Sequence, residues 1–252
     1  MELGVVETAL LAATGLAAGW LNVMAGGGSL LTVPMMVFLG LPGPVANGTN
    51  RVAIVAQNAV ATATFFRRGF ADLGLSLSLA AAAVPGAVLG AAVGTQLSGE
   101  WFDRVLAVVM IAVMIVMLLP RADRGDTPAA AEVSRSRLVA AHVLMFGAGI
   151  WGGFIQIGVG FLLMPILYRV LRLDLVRVNM HKVVIVLVYT LFALLVYARE
   201  QQVVWLAGAA LALGNAAGGY LGARTAIGRG EPWIRGVLLV VLSGFVVKLL
   251  FF

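Results

Sequence analysis

Two cations, Arg51 and Lys182, stand where the chain is otherwise apolar. Each follows a short polar stretch, Asn47-Gly48-Thr49-Asn50 in one case and Val178-Asn179-Met180-His181 in the other, and each leads into a long hydrophobic run. A positive side chain near a helix start opposes the helix dipole, and an ionisable group inside a bilayer is costly unless something compensates it. Of the eleven Asp and Glu residues only Glu7 and Asp103 fall within the apolar runs, each near the start of its run, so no carboxylate is at hand deep in a span to pair with either cation. Such a pair suits the binding of a small anion. The plainer alternative is that both side chains snorkel to lipid headgroups; recurrence of the cation at equivalent places favours the anion.

Polar side chains that could orient an anion surround the pair: Asn22, Thr49, Asn50, Gln57, Asn58, Gln156, Asn179, His181 and Tyr189. Gln57 and Asn58 follow Arg51 by about two helical turns, and Tyr189 follows Lys182 by the same interval. Taken singly, each is as well explained by a hydrogen bond between helices. His181, beside Lys182, is a side chain of a type that titrates near neutrality, so it is the candidate for coupling to protons; coupling to sodium is equally open. No His-Glu-x-x-His, Gly-x-Ser-x-Gly or Walker phosphate loop is present, and His142 and His181 are too few for a metal cluster. The sequence calls for no cofactor and no metal, and an enzyme is disfavoured.

The elements that must position these groups are interrupted helices. Ala25-Gly26-Gly27-Gly28-Ser29 breaks one apolar stretch, and Gln156-Ile157-Gly158-Val159-Gly160 breaks another. Each glycine weakens a helix by about 1 kcal/mol relative to alanine. Broken backbone at membrane depth survives only where protein or a wet cavity satisfies it. Gly26, Gly27, Gly28, Gly158 and Gly160 are therefore candidate site residues, because the short runs behind them begin with free N–H groups and a partial positive charge. Pro34 and Pro165, inside those short runs, predict kinks. Gly86, Gly90, Gly94, Gly218, Gly219 and Gly222 are spaced for close helix packing, and Trp101 and Trp233 for interface anchors.

The whole chain fits this picture. Of 252 residues, 62% are hydrophobic and 11% charged, too little polar surface for a water-soluble domain. Apolar runs fall at roughly 4–25, 29–41, 45–66, 73–96 and 101–119, then 137–157, 160–171, 178–198, 203–226 and 232–251. Most are long enough to cross ~30 Å of hydrocarbon. The partner is thus the lipid bilayer. The net charge of +6 sits mainly in short turns, as topology signals do, and nucleic acid is not expected. Cysteine is absent, which removes disulfide and thiol chemistry.

A shift of 131 positions carries Trp20 onto Trp151, Gly27 onto Gly158, Leu31 onto Leu162, Pro34 onto Pro165 and Arg51 onto Lys182. The chain therefore reads as an all-α integral membrane protein made of two pseudo-symmetric repeats, 1–119 and 138–252. A charged cytoplasmic linker, 120–137, joins them. Each repeat has about five membrane segments including one short or broken helix, giving 8 to 10 in all. If the short runs 29–41 and 160–171 count as crossings, loop arginines divide twelve to two between the two sides; if they are re-entrant, seven to seven. A bias is expected, so five plus five, in inverted orientation, is preferred. Lys248, near the C-terminus, counts against that topology unless it snorkels.

The glycine break, then Leu30-Leu31-Thr32-Val33-Pro34, Leu39-Gly40-Leu41-Pro42 and Ala46-Asn47-Gly48-Thr49-Asn50, resembles the sulfite exporter TauE/SafE family of permeases. The second half looks like that family's degenerate second copy, with only Gly158 and Gly160 in its break and Met180-His181 in place of Thr-Asn. The resemblance implies a multi-pass protein of the bacterial cytoplasmic membrane and a secondary transporter of a small sulfur-containing anion: sulfite, sulfoacetate or another organosulfonate. An anion channel, or an accessory subunit that transports nothing, are the alternatives. Direction of transport and oligomeric state are not legible.

Overall fold

Broken helices in the sequence become helical hairpins in the structure. The computed structural model describes residues 4–70, 72–96, 104 and 134–251, with backbone alone for 230–232 and 234–251. Eight α-helices run through the described residues, and no strand is found among them. Helix α1 (Val5–Met24) stops at the glycine run, and the short α2 (Ser29–Phe38) starts beyond it. Helix α3 (Gly43–Arg67) follows Pro42, with Pro44 in its first turn, where a missing N–H costs nothing. Helix α4 (Leu73–Gly94) is capped by Asp72, whose side chain accepts from the Leu75 N–H.

The second series repeats the order. Helix α5 (Arg135–Phe154) ends at the second break, and α6 (Val159–Pro165) continues through a π-turn, Ile166–Val170. The π-turn follows Pro165, where a missing N–H interrupts the regular ladder. Helix α7 (Leu175–Arg199) is capped by Asp174, which accepts from Val176 and Arg177. These acidic residues sit at helix ends, as the sequence requires. Apart from residue 104, the apolar run 101–119 with Trp101 and the linker up to residue 133 lie outside the described residues, as does the Lys248 side chain. Arg135 to Arg137 belong to the first turn of α5.

One element departs from expectation. The runs 203–226 and 232–251, read as two crossings, form a single helix α8 (Trp205–Phe251) of 47 residues. At 1.5 Å per residue it is roughly 70 Å long, over twice the hydrocarbon thickness. Gly228, inside the expected turn, stays out of the left-handed region that helps a chain reverse.

Helices α1, α4, α5 and α7 are long and apolar enough to cross a membrane. Helix α3 has the length but carries Asn47, Thr49, Asn50, Arg51, Gln57 and Asn58, all buried. Such a helix tolerates a bilayer only when others shield it, and α7 and α8 pack along it. Packing partners exchange between the two series: α1 lies on α8 as α5 lies on α4, and α3 lies on α8 as α7 lies on α4, while α3 and α7 meet each other. The seams are glycine-lined. A Cβ on Gly86 would sit 2.2 Å from the Phe146 carbonyl oxygen, and one on Gly218 would sit 2.2 Å from that of Leu16. Close approach of this kind replaces the hydrophobic drive that lipid-facing helices lack.

Candidate functional site

The two breaks touch. Gly26 (φ +87°) and Gly158 (φ +73°) both take the left-handed conformation that side chains resist. A Cβ added to Gly26 would lie 2.5 Å from the Gly160 Cα, so the backbones meet with no room for a methyl group. The C-terminal carbonyls of α1 and α5 therefore converge on one place in the protein's interior.

Each of those ends is met by the cation of the other series. The Arg51 guanidinium, fully buried, donates to the Gly152 and Gly153 carbonyls in the last turn of α5 and to Gln156 Oε1. It also lies 4.4 Å from the centroid of the Tyr197 ring. The Lys182 ammonium, 3% exposed, donates to the Asn22 carbonyl (3.2 Å), the Val23 carbonyl (2.8 Å) and Asn179 Oδ1 (2.8 Å). Asn22 and Val23 lie in the last turn of α1. Neither cation snorkels. Each sits about two turns inside its own helix, past the reach of that helix's dipole, but at the end of the opposite broken helix, where free carbonyls and a partial negative charge of about −0.5 favour it. The Arg177–Asp174 ion pair lies on the surface, and neither buried cation has a carboxylate partner among the described residues.

A small cavity opens beside Lys182. Asn22, Asn58, Gln156, Val159, Gly160, Lys182 and Val186 line it. It leaves about 10 Å³ for the centre of a water-sized sphere, room for one water. A larger groove between α4 and α5, bordered by Leu89, Val93, Ile150 and Phe154, is apolar and offers no chemistry.

Hydrogen bonds set the polarity of the cavity wall. A guanidinium can only donate, so Gln156 turns its oxygen to Arg51 and its Nε2 to the Tyr189 hydroxyl, 3.1 Å away. Asn22 donates to Gln57 Oε1 (3.2 Å), and Asn58 donates to the Ile54 carbonyl (2.8 Å). Two buried polar atoms near this network lack a partner, Arg51 Nε and Asn179 Nδ2, and both are donors.

The remaining predicted residues lie apart from the cavity. Thr49 accepts from the Val204 N–H and pins the entry to α8. Asn50 donates to Ser29 and accepts from Thr32, tying α3 to the first turn of α2. His181 contacts Ser76 of α4 through Nδ1 (2.8 Å). Gly27 lies under the Phe161 ring, and Gly28 packs on Ala18 and Asn22. Two residues outside the predicted set belong to the network. Asn47 donates to the Phe154 carbonyl and to the Tyr197 hydroxyl, and Tyr197 donates to the same carbonyl. A tyrosine in the apolar run of α7 must find a partner for its hydroxyl, which is the signal that could have singled it out.

Residues 11–249 match the model of the family described as sulfite exporter TauE/SafE. The chain belongs to that family. A "probable membrane transporter protein ORF9" of a Sinorhizobium species is 27% identical over 92% of this chain and 88% of its own length. A "probable membrane transporter protein" of Haemophilus influenzae is 23% identical over 100% of this chain and 97% of its own. The "probable membrane transporter protein YfcA" of Escherichia coli K12 is 23% identical, with 93% and 86% covered. No solved structure matches the chain. Family and helices together make this TauE/SafE member a membrane transporter, a multi-pass protein of the bacterial cytoplasmic membrane.

Proposed function

We propose that the protein is a secondary transporter that carries a small sulfur-containing anion, sulfite, sulfoacetate or another organosulfonate, by alternating access. The observation that carries this reading is the pair of buried cations at the junction of the two breaks, with no carboxylate beside them among the described residues. Two unit charges against two helix C-termini of about −0.5 each leave roughly one positive charge uncompensated. An anion would balance it. The unpartnered donors Arg51 Nε and Asn179 Nδ2 point to the same ligand class, since an anion offers acceptors only.

On this reading Lys182 is the cation that meets the substrate, with Asn22, Asn58 and Gln156 around it, while Arg51 orients Gln156 from behind. The three N–H bonds of Lys182 are all in use, so an entering anion must replace one of them. Loosening the end of α1 would then couple binding to movement. The one-water cavity corresponds to a closed state that must widen to hold a sulfur oxyanion and is too narrow for an open channel. Two inverted halves, 1–119 and 138–252, would rock about the break junction, as the exchanged packing partners suggest. A potential negative inside would drive export by ~2.3 kcal/mol per charge per 100 mV.

The test is counterflow of radiolabelled sulfite and sulfoacetate in proteoliposomes, for wild type and Lys182→Ala. Uptake by wild type that is lost in a folded Lys182→Ala protein supports the reading. Undiminished uptake in the variant would move the site elsewhere, and no uptake of either anion by folded wild type would end the sulfur-anion assignment.

A further inference from the structure

Transporters built on broken helices bind their coupling sodium ions at the C-terminal ends of half-helices and at unwound carbonyls. This protein has two such ends, α1 and α5, and both are filled by side chains. The Gly152 and Gly153 carbonyls take the Arg51 guanidinium, and the Asn22 and Val23 carbonyls take the Lys182 ammonium. The Lys182 site has the shape of a cation site in its own right. Two main-chain carbonyls and the Asn179 side-chain oxygen surround the nitrogen at 2.8–3.2 Å, and the three acceptors match its three protons. Both cations arrive from the opposite series, so the substitution occurs twice, with different residues and different acceptors.

We infer that Arg51 and Lys182 are tethered stand-ins for coupling sodium ions: they occupy the carbonyl sites at the ends of α5 and α1, and the transporter neither binds nor needs sodium. A free sodium ion brought to either set of carbonyls would meet a fixed positive charge at contact distance, and like charges so close repel strongly in a dry interior. A tethered cation also returns with the protein at every cycle. Anion movement then carries its own charge across uncompensated, and the membrane potential alone can drive it. This last consequence rests on the anion-transport reading; the absence of a sodium site does not.

Two measurements test the inference. The first is the thermal unfolding midpoint of purified protein in sodium chloride and in choline chloride at equal ionic strength. Wild type is expected to show no difference. Lys182→Ala is expected to unfold at lower temperature in choline and to regain part of the loss in sodium, because the vacated carbonyls again hold a cation. A wild-type midpoint raised several degrees by sodium alone would overturn the inference. So would a folded Lys182→Ala protein indifferent to sodium; should that variant not fold, Lys182→Gln and the wild-type comparison decide. The second is sulfite counterflow with sodium replaced by choline on both sides. Equal rates are expected. A sodium requirement would overturn the stand-in role and leave anion transport standing. Absence of flux in both salts would count against the sulfite reading, with the midpoint comparison still deciding this one.

Discussion

The Arg51 and Lys182 centres occupy matching places in the two halves and solve one problem with different chemistry. Arg51 is walled in. Its fork spans two carbonyls and the Gln156 oxygen, a tyrosine ring covers its face, and Asn47 and Tyr197 bond the next carbonyl, that of Phe154. Lys182 holds two carbonyls and one amide and borders the cavity. A planar, five-donor group suits a permanent brace, and a compact ammonium with rotatable donors suits a group that changes partners. The difference teaches that two buried cations in like surroundings can be held differently, one as a fixed brace and one beside an open space.

The largest expected effect falls on the side proposed to face the ligand. Lys182→Met should reduce sulfite uptake by about 100-fold or more, as loss of a buried charge partner does, with the protein still extracted as a folded monodisperse species. Equal losses of uptake in Arg51→Met and Lys182→Met, both folded, would erase the distinction between scaffold and site. Next comes the brace. Arg51→Met leaves the Gly152 and Gly153 carbonyls and Gln156 without their donor, and should cost roughly 3 kcal/mol or more of stability. Thermal unfolding in detergent reads that loss directly.

Exchange of the cations gives a finer probe. Arg51→Lys should recover little, because one ammonium cannot span the acceptors of a fork, whereas Lys182→Arg should keep measurable transport with altered anion preference. Competition between sulfite and bulkier sulfonates would report it. A smaller effect is expected at Gln156→Glu, whose oxygens can both accept. It should keep the Arg51 contact, place a negative charge on the cavity wall and weaken anion uptake about tenfold, seen as a raised KM. The smallest belongs to Thr49→Val, remote from the cavity. Loss of its bond to the Val204 N–H should cost about 1 kcal/mol in stability and leave anion preference unchanged.

Much of the architecture was legible because a bilayer imposes simple rules. Helix lengths, the glycine breaks and the placement of carboxylates at helix ends follow from hydropathy and helix propensity, and the helices start and stop within a few residues of the apolar runs. The packing role of Gly86, Gly90 and Gly218 was equally readable, since small residues at helical spacing have few other uses in a membrane. The continuity of α8 was not readable, because Gly228 and its neighbours permit a turn without requiring one. Within the site, the sequence picked out Asn22, Asn58, Gln156, Gly160 and Lys182 together with Thr49, Asn50 and His181, and could not separate the two groups. Residues adjacent on a helix point about 100° apart, so Thr49 and Asn50 serve different neighbours, as do His181 and Lys182.

By itself the sequence determined that this is a helical membrane protein with two interrupted helices, and that the cations Arg51 and Lys182 fall at corresponding places in its apolar stretches. Those are local properties: hydropathy, glycine content, and the placement of charged residues along the apolar runs. Only the tertiary structure decided which helix end each cation meets. On the sequence, Arg51 and Lys182 read as near the starts of their own helices, against the dipole. Folding set them about two turns in, at the ends of the opposite broken helices, with the dipole. The energy of a buried charge depends on acceptors within about 3 Å, whatever their distance along the chain. For Arg51 and Lys182 the carbonyls that matter lie more than a hundred residues away.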